Sequence, residues 1–268
     1  MKGLLALLAV ATLSLAAAPA TVAEASPPAR IAALAPHLVE MLYLLGAGDR
    51  IVVTVAHADH PPAARAIPRI GDAFTLSLEA LLAARPDLVV AWGASLDSSR
   101  RARLEPLVPE LWVSEPTDLT AIADELDDLA ARLGTGAEAA EAFRARLAAL
   151  ERRAGTDASP APRVLALASV DPPIGLGVGS FVDDVLRRCG AVNVLGAGAT
   201  IPLSREALLV LPIDGVLPLL PERGRSELEG LVGAGVELLE VDPDLLARPG
   251  PRLLEGAEQL CAALAGGG

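Results

Sequence analysis

Aromatic residues make up only 2% of this 268-residue chain: Tyr43, Phe74, Trp92, Trp112, Phe143 and Phe181. Any site built from rings must draw on these six. Histidine and cysteine are equally scarce, at three and two residues. The chain has no G-x-S-x-G elbow, no Walker loop and no H-E-x-x-H pair, so three common routes to hydrolytic, nucleotide or zinc chemistry are missing. Basic side chains are short by twelve, 22 against 34 acidic, which gives a formal charge of -12 and a sequence pI near 4.7. That balance opposes the phosphate neutralisation on which nucleic-acid affinity rests, and equally opposes attachment to an anionic bilayer through a basic patch. What the chain has is apolar surface. With 52% hydrophobic residues it can bury a core, which excludes a disordered chain, and its length permits one large domain or two modest ones.

Residues 1–25 have the order of an export signal. Lys2 supplies the positive start, Leu4 to Ala18 is an apolar run short for a bilayer span, and small residues follow in Ala23-Glu24-Ala25. An uncleaved anchor helix is the alternative reading, but no basic stop-transfer segment follows. No cysteine stands near the cleavage region, so a lipid-attached form is not expected. In an oxidising compartment Cys189 and Cys261, which lack metal-ligand spacing and a C-x-x-C signature, read as a structural disulfide; two unconnected buried thiols are the alternative.

Beyond the signal, short apolar runs alternate with amphipathic stretches, the pattern of βα units around mainly parallel sheets. Strands are expected at Arg30 to Ala35, Ile51 to Ala56 and Asp87 to Trp92, with helices at 37–46, stopped by Gly46, and 79–84, stopped before Pro86. The C-terminal half repeats the theme with a strand at 163–168 and a helix at 181–189. A closer echo pairs Ser77-Leu-Glu79-Ala-Leu-Leu with Ser204-Arg-Glu206-Ala-Leu-Leu, in which a serine at the N-cap position precedes a glutamate in the first helical turn. Residues 118–153 have helical composition and periodicity, broken at Gly134-Thr-Gly136. The expected organisation is an N-terminal α/β lobe at 26–117, a helical spacer at 118–157 and a C-terminal α/β lobe at 158–268.

Three clusters invite a chemical reading. Gly175-Leu-Gly177-Val-Gly179-Ser180 fails as a dinucleotide fingerprint, because serine stands where the third glycine belongs, and Ser180 with Asp183 fits a capping box instead. His57-Ala-Asp59-His60 places two imidazoles in a loop after a strand, either as polar surface residues or as groups able to approach a metal chelate. His37, after Pro36, reads as a capping or packing residue. Glu79 and Glu206 read locally as helix-favouring acids, or together as an acidic handle for a basic partner.

Ala35-Pro-His-Leu-Val-Glu40, Leu45-Gly-Ala-Gly-Asp-Arg50, Ile67-Pro-Arg-Ile-Gly71, Arg85-Pro-Asp-Leu-Val-Val-Ala-Trp92, Gly179-Ser-Phe-Val-Asp-Asp184 and Asp242-Pro-Asp-Leu-Leu-Ala-Arg248-Pro-Gly-Pro-Arg252 together resemble one family. It is the periplasmic substrate-binding proteins of ABC importers for cobalamin and ferric siderophores, with the cobalamin-binding branch most similar. The resemblance implies two Rossmann-like lobes joined by a single long helix, a ligand cleft between them, and a monomer that captures cobalamin or a related corrinoid without a chemical step. It implies no cofactor of the protein's own and no resident metal.

In that reading Glu79 and Glu206 meet arginines of the ABC permease, and Cys189 and Cys261 form the branch's disulfide. Trp92 gives the corrinoid apolar contact, and Asp244 and Arg248 give polar contacts. The chain departs from the branch where aromatic side chains usually line the cleft: it has His57, His60, Ala73, Ile174 and Thr200 there, with Phe74 as a displaced ring. Lost rings forfeit contact area. Haem or a ferric siderophore, with His57 or His60 toward the metal, is therefore the alternative ligand. An extracytoplasmic enzyme or a ligand sensor on the same lobes is the remote one.

Overall fold

The computed structural model describes residues 26–72, 75–154, 160–220, 224, 227, 228 and 236–266. The expected export signal, Ala73 and Phe74 lie outside them. The N-terminal lobe holds a fully parallel sheet of β1 (Ile31–Ala33), β2 (Ile51–Thr54), β3 (Leu88–Trp92) and β4 (Leu111–Ser114), in the order β2-β1-β3-β4. Helices α1 (Pro36–Leu44), α2 (Leu78–Ala83) and α3 (Ser98–Leu104) connect them. Pro36 stands at the first positions of α1, where its missing N–H costs nothing, so the helix begins one residue before the expected 37 and ends at Leu44, ahead of Gly46.

The C-terminal lobe is mixed. β5 (Arg163–Val170), β9 (Gly215–Pro218) and β10 (Glu237–Leu238) run parallel, with β7 (Val192–Asn193) also parallel to β5, while β6 (Pro173–Gly175) and β8 (Ile201–Pro202) are antiparallel. Helices α6 (Phe181–Arg188), α7 (Arg205–Val210), α8 (Pro243–Leu246) and α9 (Leu253–Gly266) complete the described part. The Ser180 hydroxyl accepts the Asp183 N–H at 3.1 Å, as expected of an N-cap. The reciprocal half of the box is absent, because the Asp183 carboxylate faces Arg187 at 3.3 Å and the Ser180 N–H goes to the Gly177 carbonyl.

The spacer is a helical hairpin. α4 (Leu119–Leu133) and α5 (Ala137–Ala154) lie antiparallel, joined through Gly134 and Gly136, both at positive φ. Leu119, Ile122, Leu126, Leu129 and Leu133 form a buried stripe on α4, met by Ala140, Phe143, Leu147 and Leu150 on α5. Arg144 of α5 bonds Asp124 and Asp127 on α4. The turn end is clamped to the N-terminal lobe, where Arg50 donates to the Leu133 carbonyl at 2.9 Å. The open end is clamped to the C-terminal lobe, where buried Asp184 accepts the Leu119 N–H at 3.1 Å and Arg188 bonds Asp184, Thr120 and Glu151. α5 thus carries the chain from one lobe to the other with α4 alongside.

Period-two alternation divides the core. Ile31, Ala33, Leu88 and Val90 in one lobe, and Val164 and Ala166 in the other, share one continuous apolar cluster with the hairpin. Ala32, Val89 and Ala91 face a separate cluster in the first lobe, and Leu165 and Leu167 face a third in the second. A core that runs unbroken across both lobes resists hinge opening, because separating them would expose well-packed apolar surface. Among the described residues no helix is long and apolar enough to cross a membrane.

The hairpin turn supplies a direct test. Gly136 has φ +86°, and a Cβ there would stand 2.6 Å from Leu45 Cα. Left-handed backbone costs a side chain about 1 kcal/mol, and the clash with backbone adds to it. Gly136→Ala is therefore expected to lose about 2 kcal/mol, a fall in Tm of roughly 4–8 °C. An unchanged melting curve by circular dichroism would contradict the close packing of this turn.

Candidate functional site

In parallel sheets the carboxyl ends of the strands face the crevice where ligands bind. In the N-terminal lobe those ends carry His37 on the first turn of α1, the His57-Ala-Asp59-His60 loop after β2, and Trp92 as the last residue of β3. From the C-terminal lobe, the segment around α8 brings Arg248 onto the same seam. Arg248 Nη1 pairs with Glu40 of α1 at 3.3 Å and with Asp59 at 3.5 Å, so the two lobes meet through charge as well as through the core. Gly250 makes the approach possible, since a Cβ there would lie 2.8 Å from His37 Cβ.

The site residues expected from the sequence fall into distinct places. His57, at φ 64°, and His60 are exposed on the loop, and Trp92 is half-buried against the core. Asp244 is exposed in the first turn of α8. Ile174 is half-buried on β6, which folds back from the end of β5, and Thr200 is exposed two residues before Pro202, the partner of Ile174 on β8. Glu79 and Glu206 stand one on each lobe, both exposed, in the first turns of α2 and α7. The expected serine caps form: Ser77 accepts the Ala80 N–H at 3.2 Å and Ser204 the Ala207 N–H at 3.1 Å. Hydrogen bonds from its own backbone N–H and from the Ser204 hydroxyl hold the Glu206 carboxyl below its ordinary range. Cys189 and Cys261 are joined, tying the end of α6 to α9.

Sequence reasoning missed Glu40 and the setting of His37. His37 is a packing residue, 2% exposed, with its ring edge-on to Trp92 at 5.5 Å. Its Nε2 and the Glu40 Oε2 are buried without a hydrogen-bond partner. One signal was available: Glu40 is a lone acid inside the apolar run His37 to Leu45, and such a residue needs a tertiary partner. Burial first, opposed by Arg248 and Arg252, raises the Glu40 carboxyl above its ordinary range. Burial first, then the charges of Arg252 and Arg248 against those of Asp59 and Glu255, lowers His60.

Burial, reinforced by the Arg248 charge, lowers His37 to about 3. An unfolded histidine titrates near 6.5, so between pH 6.5 and about 3 the unfolded chain binds a proton that the folded chain refuses. Stability contributed by this group is present above pH 6.5 and falls on acidification. Glu40 has the opposite sign, because its raised carboxyl is protonated first in the folded state. The comparison is therefore between the wild type and His37→Gln, in which Glu40 is common to both. Between pH 6.5 and 5 the wild type is expected to lose about 1.6 kcal/mol more than the variant in urea denaturation. Equal losses would mean that His37 is not held neutral in the seam.

Two cavities lie within single lobes and do not bridge the seam. One of about 340 Å³ is lined by Leu34, Leu76, Leu78, Leu96, Leu104 and Arg100. The other, of about 310 Å³, adjoins the end of β5 at Ser169, Asp171 and Leu220. Among the described residues no three histidine, cysteine or acidic side chains are grouped to hold a metal ion.

Comparison with known proteins gives a consistent picture. The chain is 31% identical over 261 residues to the vitamin B12-binding protein of Vibrio cholerae, covering 92% of each, and 28% identical over 251 residues to that of Vibrio vulnificus, covering 89% and 90%. Its fold superposes on the periplasmic vitamin B12 binding protein BtuF of Vibrio cholerae with a TM-score of 0.80 at 29% identity, over 89% of this chain and 97% of that one. It also superposes on a periplasmic heme binding protein from Pseudomonas aeruginosa with a TM-score of 0.75 at 29% identity, over 88% and 92%. The family model for periplasmic binding protein matches residues 31–217. With two α/β lobes, a seam at the strand ends and this match across most of its length, the chain belongs to the periplasmic binding protein family.

Proposed function

We propose that this protein is exported by its N-terminal signal, captures cobalamin or a closely related corrinoid between its lobes, and delivers it to an ABC permease. The carrying observation is similarity over 92% of the chain to proteins named for vitamin B12 binding, on a fold whose lobes meet at the strand ends. Trp92 offers the corrin an apolar face, with Phe74 and Ile174 adding contact area. Asp244, and the Arg248 amino group not engaged with Glu40 and Asp59, bind amides at the ligand's edge. His57 and His60 donate to further amides. Such a protein needs to recognise and release, with no bond made or broken. Titration of the purified protein with cyanocobalamin should show saturable 1:1 binding in calorimetry, and a flat titration across the micromolar range would reject this ligand.

Haem is the second reading, favoured by the Pseudomonas aeruginosa relative and by two imidazoles on the cleft loop. The lowered His60 favours the neutral, metal-binding imidazole. A Soret shift with added haem that disappears in His57→Ala or His60→Ala would select it over the corrinoid.

A further inference from the structure

The cavity of about 340 Å³ in the N-terminal lobe lies across the sheet from the seam. Leu34, just past β1, and Ala91, next to last on β3, line it. Both belong to the apolar cluster that also takes Leu76, Leu96 and Leu104. Trp92, the next residue along β3, packs instead against the other cluster, with His37 edge-on to it. Successive strand residues point to opposite faces, so the sheet itself stands between this cavity and the seam. The place is one where wound α/β sheets bind small molecules. β1 and β3 are neighbours in the order β2-β1-β3-β4, and the chain leaves β1 through α1 toward β2 but leaves β3 through α3 toward β4. Their carboxyl ends therefore flank a topological switch point. The volume also falls within the range of ligand pockets, roughly 300–1,000 Å³.

The lining has two characters. Leu34, Leu76, Leu96 and Leu104 make it apolar, and Leu78, 37% exposed, adds apolar surface that reaches water. Into this lining α3 sends Arg100 and Arg103, which with Leu104 share one helix face by their spacing of three and four. Arg100 is steadied by Asp97 at 3.4 Å and by the Ser95 carbonyl at 3.2 Å. Arg103 makes no ion pair or hydrogen bond with the other described residues. The one carboxylate in the lining, Asp72, accepts the Thr75 N–H at 2.6 Å. Two guanidiniums against one carboxylate give the cavity positive charge on a protein of net charge -12.

We propose that this cavity is a second small-molecule site, for an organic carboxylate with an apolar body of about the size of octanoate. The guanidiniums of Arg103 and Arg100 take the carboxylate, for which their planar donor geometry is suited, and the leucines take the chain. A neutral apolar molecule would desolvate the guanidiniums without pairing them, and an inorganic anion would leave the leucines wet. The site is independent of what the cleft between the lobes carries.

The test is a titration of isotope-labelled protein with sodium octanoate, followed by amide NMR. Shifts at Leu34, Ala91, Leu96 and Arg103 should saturate, and octanol should bind about tenfold more weakly or worse. Arg100→Gln/Arg103→Gln should lose about tenfold or more in octanoate affinity, as expected for charged hydrogen-bond donors, while binding cyanocobalamin as the wild type does. Leu78→Trp, which puts a ring into the cavity from an exposed position, should abolish the shifts and leave the urea midpoint unchanged. Saturating cyanocobalamin should leave octanoate affinity unaltered. No saturable shift into the millimolar range, or undiminished octanoate affinity in the double glutamine variant, would overturn the proposal. So would competition by cyanocobalamin with shifts at Trp92 and His60, which would place octanoate in the cleft. A wild type that binds octanoate in this way but not cyanocobalamin would support the cavity site and reject the transport reading alone.

Discussion

A protein carrying both Glu79→Ala and Glu206→Ala is expected to bind its ligand as the wild type does and to support no uptake. Both carboxylates are exposed, each in the first turn of a short helix whose N-terminus is already capped by serine. Removing them costs the fold little, through the helix dipole. Neither belongs to the seam of His37, Glu40, Trp92 and Arg248, so ligand capture should not change. Docking should change greatly. Truncating one member of a charge pair that becomes buried in a complex costs about 2–5 kcal/mol, and if each carboxylate meets a basic group of the permease, two such pairs are lost. Calorimetry on the purified variant and uptake of labelled cobalamin in cells lacking the wild-type protein separate the two effects. Normal uptake would refute the acidic handle, and lost ligand binding would place one of the two glutamates in the cleft.

Loss of the disulfide should have the next largest effect. Cys189 and Cys261 are 72 positions apart, and closing a loop of that size restricts the unfolded chain by about 4 kcal/mol in the entropy model. The consequence is more than general. Cys189 ends α6, the helix whose Asp184 and Arg188 fasten the open end of the hairpin, and Cys261 lies on α9, which reaches α5 through Arg146 and Glu258 at 2.7 Å. Cys189→Ser/Cys261→Ser should therefore lower the urea midpoint and loosen the C-terminal lobe first. Hydrogen exchange should show α6 and α9 losing protection before β1 and β3. A stability loss below about 1 kcal/mol would mean that the native packing of these two helices already supplies what the bond does.

The parts of the fold that were legible in the sequence are those fixed by near neighbours. Gly134 and Gly136 break the spacer where the hairpin turns, because positive φ favours glycine at those two positions. Ser77, Ser180 and Ser204 cap the helices expected to follow them, because a hydroxyl three residues from a free N–H needs no tertiary help. Strands β1, β3 and β5 lie inside or over the expected segments, since their alternation between two apolar clusters is written into successive residues. The small strands β7 and β8 were not legible. Two residues hold no period, and their pairing depends on what β5 and β6 offer them.

The amino-acid sequence by itself determined two α/β lobes, a helical connection, the serine caps and the pairing of scarce cysteines, because each depends on local backbone preference, side-chain period or elimination among few candidates. Only the tertiary structure decided that Arg248 meets Glu40 across 208 positions, that His37 is buried edge-on to Trp92, and that Leu209 and Val210 stand in water beside Glu206. Those facts turn on which surfaces are excluded from solvent once the lobes have packed. An acid in an apolar helix announces that it needs a partner; where that partner lies is fixed only when the chain has closed around it.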